Sequence, residues 1–84
     1  MDKKIGKVTH YYNRIGVAVV VLSGKLKVGD TIQILGRTTE LTQKVHSLEI
    51  EHNKQQTVEA GQEVALKVDE AVRAGDVVYQ VVET

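Results

Sequence analysis

The sequence predicts an all-β fold, a small barrel of six strands. Three observations predict it. The apolar composition is narrow: fifteen valines, five isoleucines and seven threonines, with no Phe and no Trp. β-branched residues fit a pleated strand and lose side-chain freedom in a helix. The apolar runs are short and separated by turn signals, as in sandwiches and barrels. The stretch Ser23 to Ile34, SGKLKVGDTIQI, reverses the chain and still alternates Leu26 and Val28 with Lys25 and Lys27. That alternation sends two apolar side chains into the core and two lysines outward. Gly24 and Gly29 mark its turning points.

Each strand follows from local pattern. Ile5 to Tyr12 is the first, and Asn13-Arg14-Ile15-Gly16 makes a hairpin tip with Gly16 suited to the left-handed position. Val17 to Leu22, VAVVVL, is the second, and it is apolar on both faces. A half-buried strand alternates instead. The expectation is that Ala18, Val20 and Leu22 form a partner-contact surface, unless a loop or the N-terminus covers them. Thr31 to Leu35 is the third strand, with Ile32 and Ile34 inward, followed by the polar loop GRTTE. Leu41 to Ile50 reads as one long fourth strand. Val45 and Leu48 break its alternation, which suggests a bulge near His46-Ser47. EHNKQQ at 51–56 reads as a loop, and residues 57–61 as a short edge and turn. Glu63 to Val68 is the fifth strand, with Val64, Leu66 and Val68 inward. Asp69 to Asp76 has room for one helical turn and no more. Val77 to Val82 is the sixth strand, with Val77, Tyr79 and Val81 expected inward.

Eighty-four residues make a single domain, residues 1–84. There is no cysteine, so the core must hold the fold without disulfides. Redox and thiolate chemistry are excluded. No apolar run approaches the ~20 residues of a membrane span. The charged start MDKKIGKV lacks the apolar segment of a signal peptide, so the expected location is the cytoplasm, with no membrane partner. Formal charge is balanced overall, but residues 1–44 carry eight basic against three acidic groups and residues 45–84 the reverse. That asymmetry marks either a basic face for nucleic acid or charges that a barrel mixes by interleaving its strands.

Catalytic motifs are missing. There is no GxxxxGK[ST] loop for a nucleotide triphosphate and no GxGxxG. Ser23 and Ser47 are the only serines, and neither lies in a GxSxG elbow. His46, Glu49, Glu51 and His52 cluster in sequence, but on a strand His46 and His52 stand about 20 Å apart, too far to share an ion. No enzyme activity, cofactor or metal is expected. A nucleic-acid reading has more to work with. His10, Tyr11, Tyr12 and Arg14 lie at or beside the first hairpin tip. Tyrosine stacks on bases and arginine holds phosphate. If Lys7, Lys25 and Lys27 converge there, they complete a basic patch. Otherwise a tyrosine lids the barrel and the lysines are solvated.

Three motifs in order carry a resemblance: GKLKVGD at 24–30, EAGQEVALKV at 59–68 and VRAGDVVYQV at 72–81. They resemble the Leu-x-x-Gly-Asp crossing, the Ala-Gly-x-x-Val-Ala-Leu strand and the final Gly-Asp-Val strand of the second domain of translational GTPases. That family includes elongation factor Tu and the selenocysteine-specific elongation factor. Leu26, Gly29 and Asp30, then Ala60, Gly61, Val64, Ala65 and Leu66, then Gly75, Asp76 and Val77 stand at the matching positions. The chain is also similar to free-standing translation elongation factor-like proteins, notably over 36–52, and to the C-terminal barrel of U32 peptidases. The resemblance implies a closed six-stranded Greek-key barrel, the translation-protein barrel. Without a GTPase domain it implies no GTP hydrolysis. It further implies contact with RNA or the ribosome and places the acceptor-end contact stretch at about Glu49 to His52, while the residues that local chemistry offers for RNA are Lys7, Tyr11, Tyr12, Arg14, Lys25 and Lys27. There only Glu49 keeps a similar residue type, and His52 stands where the family has arginine. The function expected is a non-catalytic RNA- or ribosome-binding module of translation. The alternative is a protein-interaction module or an accessory subunit of a U32-type peptidase, docking through the second strand.

Overall fold

The computed structural model describes residues 2–81 and contains ten strands and no helix among them. They are β1 (Asp2–Tyr12), β2 (Val17–Leu22), β3 (Leu26–Lys27), β4 (Thr31–Leu35), β5 (Glu40–Lys44), β6 (Leu48–Ile50), β7 (Asn53–Gln55), β8 (Thr57–Val58), β9 (Glu63–Lys67) and β10 (Val77–Val81). Eight form one antiparallel sheet in the order β5-β4-β10-β1-β2-β9-β6-β7, and β3 pairs with β8. The expected all-β, barrel-like fold is present. The expected closed barrel of six strands is not: the ladder has two ends, and the strand count differs. Val82 lies outside the described residues.

The sheet rolls because β1 bends. It pairs with β10 and β2, and its register slips between Lys4 and Gly6 on one side and between Val8 and His10 on the other. Each slip adds an unpaired residue, which bends a strand and increases its twist. Gly6 lies between the slips. A Cβ there would meet Val20 Cγ1 at 2.8 Å and the Val21 carbonyl oxygen at 2.9 Å. Glycine therefore lets β2 lie against the bend. The core that results comprises Ile5, Val8, Ala18, Val20, Leu22, Leu26, Ile32, Ile34, Leu41, Val45, Leu48, Val58, Val64, Leu66, Val68, Val72 and Val78.

The fourth strand was expected to run from Leu41 to Ile50 around a bulge. It is two strands, β5 and β6, near opposite ends of the sheet. Residues 45–47 cross between them, and Val45 stays buried as the pivot. Its N–H donates to the Asp30 carbonyl at 2.8 Å and its carbonyl accepts from Gly29 at 3.0 Å. The loop expected at 51–56 is instead a two-residue turn followed by β7. In the last strand the phase is opposite to expectation. Val78 is fully buried, while Val77, Tyr79 and Val81 are only partly covered. β10 lies between β1 and β4, with Val78 opposite Gly6 and Ile34. This register turns Val78 inward.

The crossing at Gly29-Asp30 is built as its residues dictate. Gly29 has φ +97°, which only glycine takes without strain. The Asp30 carboxylate accepts from the Lys27 N–H at 3.1 Å and from Gln80 Nε2 at 3.1 Å, tying the turn to β10. Leu26 is fully buried and Val28 packs partly against the core.

Side chains span the gap between β5 and the end of β9. Buried Gln43 donates Nε2 to the Lys67 carbonyl at 3.0 Å and accepts at Oε1 from the Asp69 N–H at 2.7 Å. Its amide thus serves as one peptide unit of a missing strand. Just beyond, His46 Nε2 contacts the Asp69 carboxylate at 3.0 Å, with both groups half exposed.

Two substitutions test this architecture in denaturant unfolding. Leu26→Ala should cost about 2–4 kcal/mol as a core truncation. Gln43→Met keeps the volume but leaves the Asp69 N–H and Lys67 carbonyl unpaired, and should cost about 1–3 kcal/mol. A near-wild-type midpoint for the first would remove the crossing from the core. The same outcome for the second would show that the seam needs no amide.

Candidate functional site

β2 has one face in the core and one outside, and the phase decides which residues any partner meets. Ala18 and Val20 are fully buried and Leu22 is 2% exposed. These three therefore cannot form the contact surface expected of them. Their register places them opposite Leu66, Val64 and the buried end of β1. The outer face carries Val17, Val19 and Val21 instead, with Val21 41% exposed.

Rows of outward residues cross the sheet there. His10, Val19, Ala65, Glu49 and Lys54 stand side by side on β1, β2, β9, β6 and β7. Ala65 is the small member of that row, and the surface dips over it. The dip is a groove of about 460 Å³ floored by Val17, Val19 and Ala65. Tyr12 and Ile15 close one end and are 49% and 58% exposed. The Tyr12 ring is steadied by His10, with centroids 4.3 Å apart and planes tilted by 56°. Lys67 Nζ donates to the Ile15 carbonyl at 2.7 Å and holds the hairpin tip over this end.

Glu49, Glu51, Glu63, His52 and Val64 complete the lining. None of the three carboxylates is in an ion pair among the described residues. Glu51 and His52 form the two-residue turn between β6 and β7, with φ +50° and +67°. Both central positions of such a turn need positive φ, which Asn and Gly take readily and Glu does not. The turn is therefore strained where it borders the groove.

The residues expected to bind RNA do not assemble. Arg14 lies in the tip at 13–16, while Lys25 and Lys27 follow the far end of β2, where Ser23 and Gly24 donate to the Ile5 carbonyl. At strand rise the two ends are about 20 Å apart. Lys7 is midway along β1, opposite Val21 and Val77. Tyr11 and Tyr12 are adjacent on one strand and so face opposite ways. Tyr12 lines the groove, whereas Tyr11 is half-buried against the core. Glu49 and His52 do come together, on the groove's acidic side. Sequence reasoning missed Ile15, Val17, Val19, Glu63 and Ala65 as a surface. Ile15 at a polar tip was the one available signal, because the phase of an all-apolar strand is not written in the strand itself. His46 and His52 lie apart, His46 on the seam and His52 on the turn. Among the described residues no three His, Cys, Asp or Glu side chains are grouped to hold a metal ion. No helix there is long and apolar enough to cross a membrane.

The family model of elongation factor Tu domain 2 matches residues 17–79. The chain belongs to the elongation factor Tu domain 2 family. The relatives it matches are named as proteases and collagenases rather than translation factors. It is 39% identical over 82 residues to an uncharacterized protease of Methanocaldococcus jannaschii, covering 96% of this chain and 20% of that one. It is 37% identical over 78 residues to a collagenase of Porphyromonas gingivalis, covering 90% of this chain and 22% of that one. Its fold matches the crystal structure of the C-terminal domain of a Geobacillus thermoleovorans protein assigned to the U32 peptidases. That match has a TM-score of 0.88 at 21% identity, over 94% of this chain and 92% of that one. The chain spans about a fifth of the length of the curated relatives it matches. These relatives overturn the reading of this elongation factor Tu domain 2 member as an RNA- or ribosome-binding module of translation. The fold is shared, and the function expected by analogy is not.

The strained turn makes a measurable difference. Replacing Glu51→Asn together with His52→Gly should raise stability by about 1–2 kcal/mol, because both positions then accept positive φ. Thermal unfolding reads this directly, and a lower midpoint would show that the turn is not strained.

Proposed function

We propose that this domain serves a protease as a non-catalytic binding part, as a C-terminal domain attached to or working with a U32-type peptidase core. The observation that carries the reading is the outer groove. It offers an apolar floor and unpaired carboxylates but no serine or cysteine nucleophile, so it is equipped to hold a chain and not to cut one. The similarity to proteases and collagenases over most of this chain and a fifth of theirs supports the same division of labour. The catalytic groups then belong to the other part of the protein. The expected likeness of residues 36–52 to free-standing translation elongation factor-like proteins is not matched by the relatives above and supplies no function to this reading.

The Porphyromonas gingivalis collagenase provides the test. The intact enzyme, a form lacking its matching segment, and a chimera carrying residues 1–84 in that place are compared on gelatin. Loss of the segment should raise KM by about tenfold and change kcat little, the signature of lost substrate binding. The chimera should restore KM. A folded chimera that keeps the KM of the truncated form would overturn the proposal.

A further inference from the structure

The groove on the outer face of β2 has a definite chemical character, and that character selects an occupant. Its floor is aliphatic, from Val17, Val19 and Ala65. Glu49, Glu51 and Glu63 line it and lack ion-pair partners among the described residues. Three carboxylates face two nearby lysines, so the formal balance stays negative. Lys67 donates to the neutral Ile15 carbonyl and keeps its own charge. Lys54 stands opposite Glu49 across β6 and β7 without forming an ion pair. Three carboxylates around an apolar trough repel a polyanion and attract cations. The lining runs from Val17 to Glu63, whose register partner on β2 is Val21, about 13 Å along the strand, the length of four or five extended residues.

We infer that this groove docks an extended polypeptide segment in which lysine or arginine alternates with small aliphatic residues. Alternate side chains of an extended segment point opposite ways. Aliphatic ones pack on Val17, Val19 and Ala65. The long stems of lysine or arginine lie along the apolar wall while their charged ends reach Glu49, Glu51 and Glu63. Tyr12 closes the trough over one end of the segment. The inference rests on the protease reading only for which protein supplies the segment, not for the binding itself.

The test is a titration of the 84-residue chain with labelled synthetic peptides, followed by fluorescence anisotropy. One peptide alternates valine and arginine, a second valine and glutamate, and a third serine and arginine. The valine–arginine peptide should bind, and the other two should bind at least about tenfold more weakly, since each lacks one half of the complementarity. Raising salt to about 0.5 M should weaken the first without abolishing it, because the apolar contacts are not screened. Glu49→Gln, Glu51→Gln and Glu63→Gln combined should reduce affinity by about tenfold or more, with circular dichroism unchanged. Val19→Lys should do the same, whereas Lys25→Gln with Lys27→Gln, at the other end of β2, should have no effect. Several results overturn the inference: no binding by the first peptide, equal binding by the glutamate peptide, or indifference to the triple substitution. So would competition by an RNA oligonucleotide, or a dimer in sedimentation that Val19→Lys dissolves and the peptide does not displace. The protease reading is judged separately by the collagenase chimera, so either can fail alone.

Discussion

A core made almost wholly of valine, isoleucine and leucine must be wrapped by a sheet that bends sharply, and the bend is made at β1. This strand is paired on both sides, so it cannot yield at a free edge. It yields by slipping register twice, around Gly6 and around Thr9, on opposite sides. The absent Cβ at Gly6 lets Val20 and the backbone of Val21 come within contact of the strand. Thr9 adds a side-chain bond from Oγ1 to the Val19 carbonyl at 3.2 Å. Without these slips the sheet would stay flatter and its inner face could not close around one core cluster. Apolar burial is the main favourable term of folding, so the whole stability of the domain passes through this geometry.

The same curvature explains why the ladder stops short of closing. β5 and β9 approach one another but leave a gap that the Gln43 amide fills. A buried polar side chain is costly unless its hydrogen bonds are met, and here the partners are backbone groups that would otherwise be stranded. Asp30 does similar work at the crossing and Asp76 at the last turn. The buried Asp76 carboxylate accepts from the Arg73 N–H at 2.8 Å. Gly36 must be glycine beside it, because a Cβ there would lie on the Asp76 carboxylate. The Gly-Asp pairs at 29–30 and 75–76 are thus fastenings of the fold.

Motifs such as Leu26-x-x-Gly29-Asp30 are internal fastenings, so their match transfers architecture and says nothing of what the outside meets. The outer face over β2, β9 and β6 is the part that a partner would meet. It is apolar at the floor and acidic at the rim, and it is bordered by a turn held at positive φ without the residues that make such a turn easy. An acidic trough repels the phosphate backbone that the translation reading required. It suits a polypeptide, in keeping with relatives named as proteases.

Much of the fold was legible in the sequence. β-branched composition determined an all-β domain, and local alternation identified the inward residues Ile32, Ile34, Val64, Leu66 and Val68. Glycine and Asp30 located the crossing, because turn chemistry is local. The groove was not legible. VAVVVL is apolar on both faces, so only its register with β1 and β9 decides that Ala18, Val20 and Leu22 enter the core and that Val17, Val19 and Val21 stay outside. The split of residues 41–50 into strands near opposite ends of the sheet was hidden too, because Val45 and Leu48 look the same whether a strand bulges or crosses. The gathering of Glu49, Glu51 and Glu63 beside Tyr12, and the separation of Arg14 from Lys25 and Lys27, depend on which strands become neighbours. Strand neighbours are set by long-range pairing, which no local run of residues encodes, and so only the tertiary structure could decide where the charges and the exposed valines meet.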